Sequence, residues 1–146
     1  MEGFLRLRHD ALGKGICAVQ WIDGSFVENR EPRDVDVVHF VDFDLANTLD
    51  QDAQRFIMDV LGGRQATKAA YNAHCFFVFA CDPDHPFHET YERLRRYWRK
   101  WFGTTRARSD SKGRTIPGRK KGIIRLNLGD EQELPTVWPE EVPDGR

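Results

Sequence analysis

Four residues, Gly24, Ser25, Asp34 and Asp36, stand in an order suited to phosphate chemistry. Asp34 and Asp36 flank Val35, and on a strand residues two apart point to one face, with Cα atoms roughly 6.5 to 7 Å apart. Both carboxylates then converge on one hard cation, magnesium, which prefers oxygen ligands. Eight residues separate Ser25 from Asp34. Gly24 permits close approach of backbone to a phosphate, and Ser25 offers a hydroxyl donor. The set is expected to hold a nucleoside triphosphate and its magnesium.

The surrounding pattern supplies the elements that must position these groups. Ile16 to Ile22 reads as a first strand, Asp23-Gly24-Ser25 as its turn and Val35 to Phe43 as a second strand. Alternation places Asp34, Asp36, Val38 and Phe40 on one face and Val35, Val37, His39 and Val41 on the other. Both faces become apolar towards the middle, as in a covered central strand whose first end carries the polar groups. Leu45 to Leu61 has helical apolar spacing, with Asp44 as a candidate cap and Gly62-Gly63 as the stop. Cys75 to Cys81 is a continuous apolar run, read as a third strand ending at Asp82-Pro83-Asp84.

Phe87 to Phe102 reads as a strong helix, with Phe87, Tyr91, Leu94, Trp98 and Trp101 as a core-facing stripe. Thr104 to Lys121 follows as a basic loop, carrying Arg106, Arg108, Lys112, Arg114, Arg119, Lys120 and Lys121 against Asp110, with glycines and a proline that oppose regular structure. Ile123 to Leu128 is a last short strand. The expected organisation is one domain over residues 1–128 and an acidic, proline-rich tail over 129–146.

Together these segments resemble the DNA polymerase β-like nucleotidyltransferase superfamily, whose signature is a Gly-Ser or Gly-Gly pair, a spacer, and Asp-x-Asp or Asp-x-Glu among apolar residues. The chain is also similar to a group of small bacterial nucleotidyltransferase-like proteins through Trp21-Ile22-Asp23-Gly24-Ser25-Phe26, the segment from Arg96 to Gly103, and the segment from Lys121 to Leu126. The resemblance implies an α+β class and a minimal nucleotidyltransferase-type fold, a small mixed sheet packed by two or three helices on one face. It also implies transfer of a nucleoside monophosphate from a nucleoside triphosphate to a hydroxyl of RNA, protein or a small molecule. Asp34 and Asp36 would bind Mg2+, Gly24 and Ser25 would hold phosphates, and cations of the basic loop, Arg119, Lys120 and Lys121, would clamp the leaving pyrophosphate. A bacterial toxin–antitoxin or phage-defence setting follows by analogy with small members. The resemblance also implies a third carboxylate on the next strand. That position falls around Ala73-His74-Cys75, where His74 is the nearest group able to act as a base.

A binding module is the alternative: a catalytically reduced protein of the same fold that holds RNA through its basic loop or a partner through its acidic tail. A partner protein or a second copy would complete an open cleft. The net charge of −1 excludes a polycation overall, although a local basic patch remains. Three cysteines, Cys17, Cys75 and Cys81, lie among apolar residues without paired zinc spacing and are expected as reduced core thiols. A zinc site from His74, Cys75, Cys81, His85 and His88 matches no strong pattern. Charges interrupt the apolar residues of the amino terminus, and no stretch approaches the ~20 apolar residues of a membrane helix, so no membrane role and a cytoplasmic location are expected.

Overall fold

The structure, a computed structural model, describes residues 2–23 and 35–129. Gly24, Ser25, Asp34 and the tail beyond Gly129 lie outside the described residues. In chain order the elements are α1 (Glu2–Gly13), β1 (Ala18–Ile22), β2 (Val35–Asp42), α2 (Phe43–Thr48), α3 (Gln51–Phe56) continued by a π-helical turn (Ile57–Leu61), α4 (Arg64–Tyr71), β3 (Ala73–Ala80), α5 (His88–Phe102), β4 (Arg108–Ser109), β5 (Thr115–Ile116) and β6 (Ile124–Leu128). The class is α+β with a mixed four-stranded sheet in the order β3-β2-β1-β6. β1 is antiparallel to β2 and β6, whereas β2 and β3 are parallel.

β2 is covered on both faces, as its double apolar alternation requires. Val35, Val37 and Val41 join Phe4 and Leu7 of α1, Phe56 of α3 and Leu61 in one core layer. Val38 and Phe40 face the other way, onto Tyr91 and Phe102 of α5. The expected helical layer on one face is therefore present, and α5 adds a second layer on the opposite face. Ring contacts fix its direction. Phe40 meets Tyr91 with centroids 6.3 Å apart, and Phe76 meets Trp98 at 4.5 Å. The carboxyl end of α5 thus reaches the end of the sheet where β2 and β3 begin.

Several elements differ from the sequence pattern for identifiable reasons. The stretch from Leu45 to Leu61 is not one helix: Asp42 rather than Asp44 caps α2, accepting from Leu45 N at 2.7 Å, and Asp50 caps α3 anew, accepting from Ala53 N at 2.8 Å. The amino-terminal segment is helical because Phe4, Leu7 and Ala11 bury one stripe despite the intervening charges. α4, also absent from the sequence reading, ends at Asn72 in the left-handed conformation, φ 52°. The buried stripe of α5 comprises Tyr91, Arg95 and Phe102 with Trp98 beside them, whereas Phe87, Leu94 and Trp101 are exposed.

The basic segment is a paired ribbon rather than an irregular loop. Arg108 pairs with Ile116 and Ser109 with Thr115, and Thr104 bridges Lys120 nearer its base. Asp110 organises the turn, its Oδ1 accepting from Lys112 N and Arg114 N, both at 2.8 Å. Gly118 serves the pairing: a Cβ there would lie 2.0 Å from the Thr105 carbonyl oxygen. Gly113, with φ 74°, serves the turn itself.

His39 sits on β2 with no exposure, inside a polar chain within the core. The Arg8 guanidinium donates to Gln20 Oε1, which turns the Gln20 amide nitrogen towards His39 Nε2 at 2.9 Å. Nε2 must then accept, leaving the proton on Nδ1 to reach the Phe76 carbonyl at 3.2 Å. Burial holds the imidazole down to about 4, against ~6.5 in solvent. Between those values the unfolded chain binds a proton that the folded chain refuses, so stability falls as pH drops from ~6.5 towards 4, by about 3 kcal/mol in total. Urea denaturation at stepped pH is expected to show this loss and His39→Gln to flatten it; an unchanged slope in the variant would assign the loss to other groups.

Candidate functional site

The first end of β2 carries the chemistry. The parallel register sets Asp36 beside His74, and His74 Nδ1 lies 3.1 Å from Asp36 Oδ1. Their side chains are 30% and 34% exposed, so a ligand can reach both. An ionised Asp36 carboxylate can only accept, which fixes the His74 proton on Nδ1 and leaves Nε2 as the basic nitrogen of the ring. His74 is thus the β3 residue directly opposite Asp36.

A third group adjoins this pair. Asp23 follows β1, and its amide donates to the Asp36 carbonyl at 2.9 Å. The antiparallel register of β1 and β2 continues through this bond and directs the Asp23 and Asp36 side chains to one face. Lys121 comes from the ribbon's base, its Nζ 2.6 Å from Asp23 Oδ1 with the side chains only 14% and 15% exposed. The Lys121 amide in turn donates to the Gly103 carbonyl at 2.9 Å, fastening the ribbon to the end of α5.

The described sequence-derived residues thus divide into two sets. Asp36 and His74 are in direct contact. Arg119 and Lys120 are exposed on the ribbon, next to Lys121 in sequence, whereas the Lys121 ammonium lies on Asp23 and works as a structural cation. Gly24, Ser25 and Asp34 lie outside the described residues. They adjoin it in sequence, Gly24 following Asp23 and Asp34 preceding Val35. In sequence Asp23 reads only as a turn residue, because its place opposite Asp36 depends on a strand register that an eleven-residue connection leaves open. Its alternation with Val19 and Trp21 was the available signal.

Other candidates do not assemble. Cys17, Cys75 and Cys81 are buried and in no disulfide, and burial pushes Cys75 up to about 12, well outside the range of a working nucleophile. Among the described residues no three His, Cys, Asp or Glu side chains come together to hold a metal ion. His85 instead accepts from Phe87 N, and His88 contacts the Cys81 carbonyl. No described helix is long and apolar enough to cross a membrane.

The chain belongs to a family of unknown function, DUF6932, whose pattern matches residues 1–127. No curated protein and no solved structure matches it.

Removing one member of a largely buried ion pair strands the other charge. Lys121→Met is expected to cost about 3 kcal/mol, and the double substitution Asp23→Asn with Lys121→Met to cost at least ~1 kcal/mol less than the sum of the single changes. Chemical denaturation of the four proteins measures this; a coupling near zero would mean that the pair does not hold the ribbon to the sheet.

Proposed function

We propose that this chain is a magnesium-dependent nucleotidyltransferase of the DNA polymerase β-like type, acting at the sheet end occupied by Asp36 and His74. The observation that carries the proposal is their contact at 3.1 Å, between the strand that Asp34 immediately precedes in sequence and its parallel neighbour. The donor chemistry fits a hard cation. Asp36 presents a reachable carboxylate, Asp34 is two residues away on the same expected strand face, and the Lys121 ammonium lies on Asp23. Bound magnesium would neutralise the triphosphate and orient its α-phosphorus.

The remaining roles belong to the chain. Gly24 and Ser25 would cradle phosphate oxygens, and Arg119 and Lys120 would meet the charge of the departing pyrophosphate. An acceptor hydroxyl forms its bond to the α-phosphorus as the bridge to the β-phosphate breaks, and the hydroxyl proton passes to His74 Nε2. Asp36 holds the ring in the tautomer that can receive it. The histidine thereby takes over proton removal, one part of the role of the implied third acid. RNA, protein and small molecules all offer suitable hydroxyls, and resemblance to small bacterial members favours a toxin–antitoxin or phage-defence setting.

A second function has its own supporting observation. With His74 paired to Asp36 on β3 and Asp23 held by Lys121, no group of three carboxylate, imidazole or thiolate ligands comes together among the described residues. A protein so arranged can bind nucleotide or RNA without transferring anything, and a partner or second copy can complete its cleft.

Incubation with each α-labelled nucleoside triphosphate, magnesium and cellular acceptors distinguishes the two. Transfer is expected to require magnesium, to vanish in Asp34→Ala and Asp36→Ala, and to slow by about a hundredfold or more in His74→Ala. Magnesium-dependent nucleotide binding without incorporation would favour the binding module, and neither binding nor incorporation would contradict the transferase and the nucleotide-binding form of the second reading.

A further inference from the structure

The outer face of α5 is not built like a solvated helix surface. Tyr97 and Trp101, one turn apart, are 54% and 56% exposed. Their rings are nearly parallel, with an interplanar angle of 8° and centroids 6.5 Å apart. Arg93, Arg96 and Lys100 are exposed at the same helical spacing and therefore flank the rings. Leu94 adds apolar surface beside them. Two large aromatic faces left in solvent among cations do not serve the core, which uses Tyr91, Trp98 and Phe102 on the opposite side.

The ribbon continues this surface. It leaves α5 through Gly103, returns to the same carbonyl through Lys121, and exposes Arg106, Arg108 and Lys112. Its one acid, Asp110, is already bound by Arg114 at 2.7 Å. The positive charge thus runs from the middle of α5 along the ribbon, whose base is fastened to Asp23 beside Asp36.

We propose that the outer face of α5 and the ribbon dock single-stranded RNA, with Tyr97 and Trp101 stacking on bases and the arginines and lysines following the phosphates. Charge complementarity identifies a polyanion, and the paired aromatic faces select one whose bases are unpaired, since a duplex keeps its base faces occupied. Acidic protein segments satisfy the cations but offer no succession of planar faces to two parallel rings. The strand's role as hydroxyl acceptor rests on the nucleotidyl-transfer proposal, whereas its docking does not. Both contact regions meet at the carboxyl end of α5, the end nearest Asp36 and His74, so a bound strand can direct a terminus towards that pair.

The test is fluorescence anisotropy of the full chain with a labelled single-stranded oligouridylate, without nucleotide or magnesium. Binding should weaken by about tenfold or more in Tyr97→Ala with Trp101→Ala. Its affinity should fall steeply with added salt, with a shallower slope when Arg106 and Arg108 are changed to Gln. Both sets of positions are exposed, and circular dichroism checks that the variants remain folded. Intrinsic fluorescence provides a second readout: RNA should quench wild-type emission more than that of Trp101→Phe. Absence of binding, equal affinity for duplex RNA, tighter binding of oligothymidylate, or insensitivity to the aromatic substitutions would overturn the proposal. Lost incorporation with intact RNA affinity would count against nucleotidyl transfer alone.

Discussion

The register between β2 and β3 is the constraint on which the rest depends. Asp36 stands beside His74 only because Val35 pairs with Ala73 and each subsequent residue keeps step to Asp42 and Ala80. A slip of one residue would exchange the faces of a strand. It would drive His74 into the layer beneath α1 to α4 and bring Val78 out of contact with α5. Burial on both sides resists this change, since Val37 and Cys75 fill one layer while Val38 and Val78 fill the other. The polar pair at the strand ends is a consequence of apolar packing further along the same strands.

The same economy links the site to the rest of the sheet. Asp23 follows β1 and β2 supplies Asp36 and His39, but the two polar groupings occupy opposite faces. On one, Arg8, Gln20 and His39 form a closed donor sequence ending on the Phe76 carbonyl. On the other, Asp23 and Lys121 neutralise each other at the sheet edge of the ribbon. The buried chain specifies how α1 and the sheet meet, whereas the partly exposed Asp36 and His74 keep access to solvent. Polar groups with similar chemistry therefore have different roles because burial and available partners differ.

Much of this arrangement was legible in residue spacing. The alternation from Val35 to Phe40 identified both faces of β2, and the apolar run at Cys75 to Cys81 identified β3 to within two residues at its start. The breaks within Leu45 to Leu61 were not, because helical spacing continues across Asp50 while its side-chain cap decides where a new helix begins. In α5 the period was right but the face was rotated: Arg95 is buried beside Glu92, with nitrogen and oxygen 3.5 Å apart, and Leu94 lies outside. Long-range pairings were least accessible. Lys121 reads in sequence as one more cation of a basic segment, and only the return of the ribbon to Gly103 brings it to Asp23.

Asp36 and His74 can serve phosphate chemistry only if a nucleotide and its cation come to their end of the sheet. A crystal structure with magnesium and a non-hydrolysable nucleoside triphosphate tests that requirement most directly. The predicted result is a magnesium ion held by the Asp36 carboxylate and phosphate oxygens, with the α-phosphate facing His74. A nucleotide bound elsewhere, or a cation that leaves Asp36 untouched, would contradict the assignment of this sheet end as a nucleotidyl-transfer site.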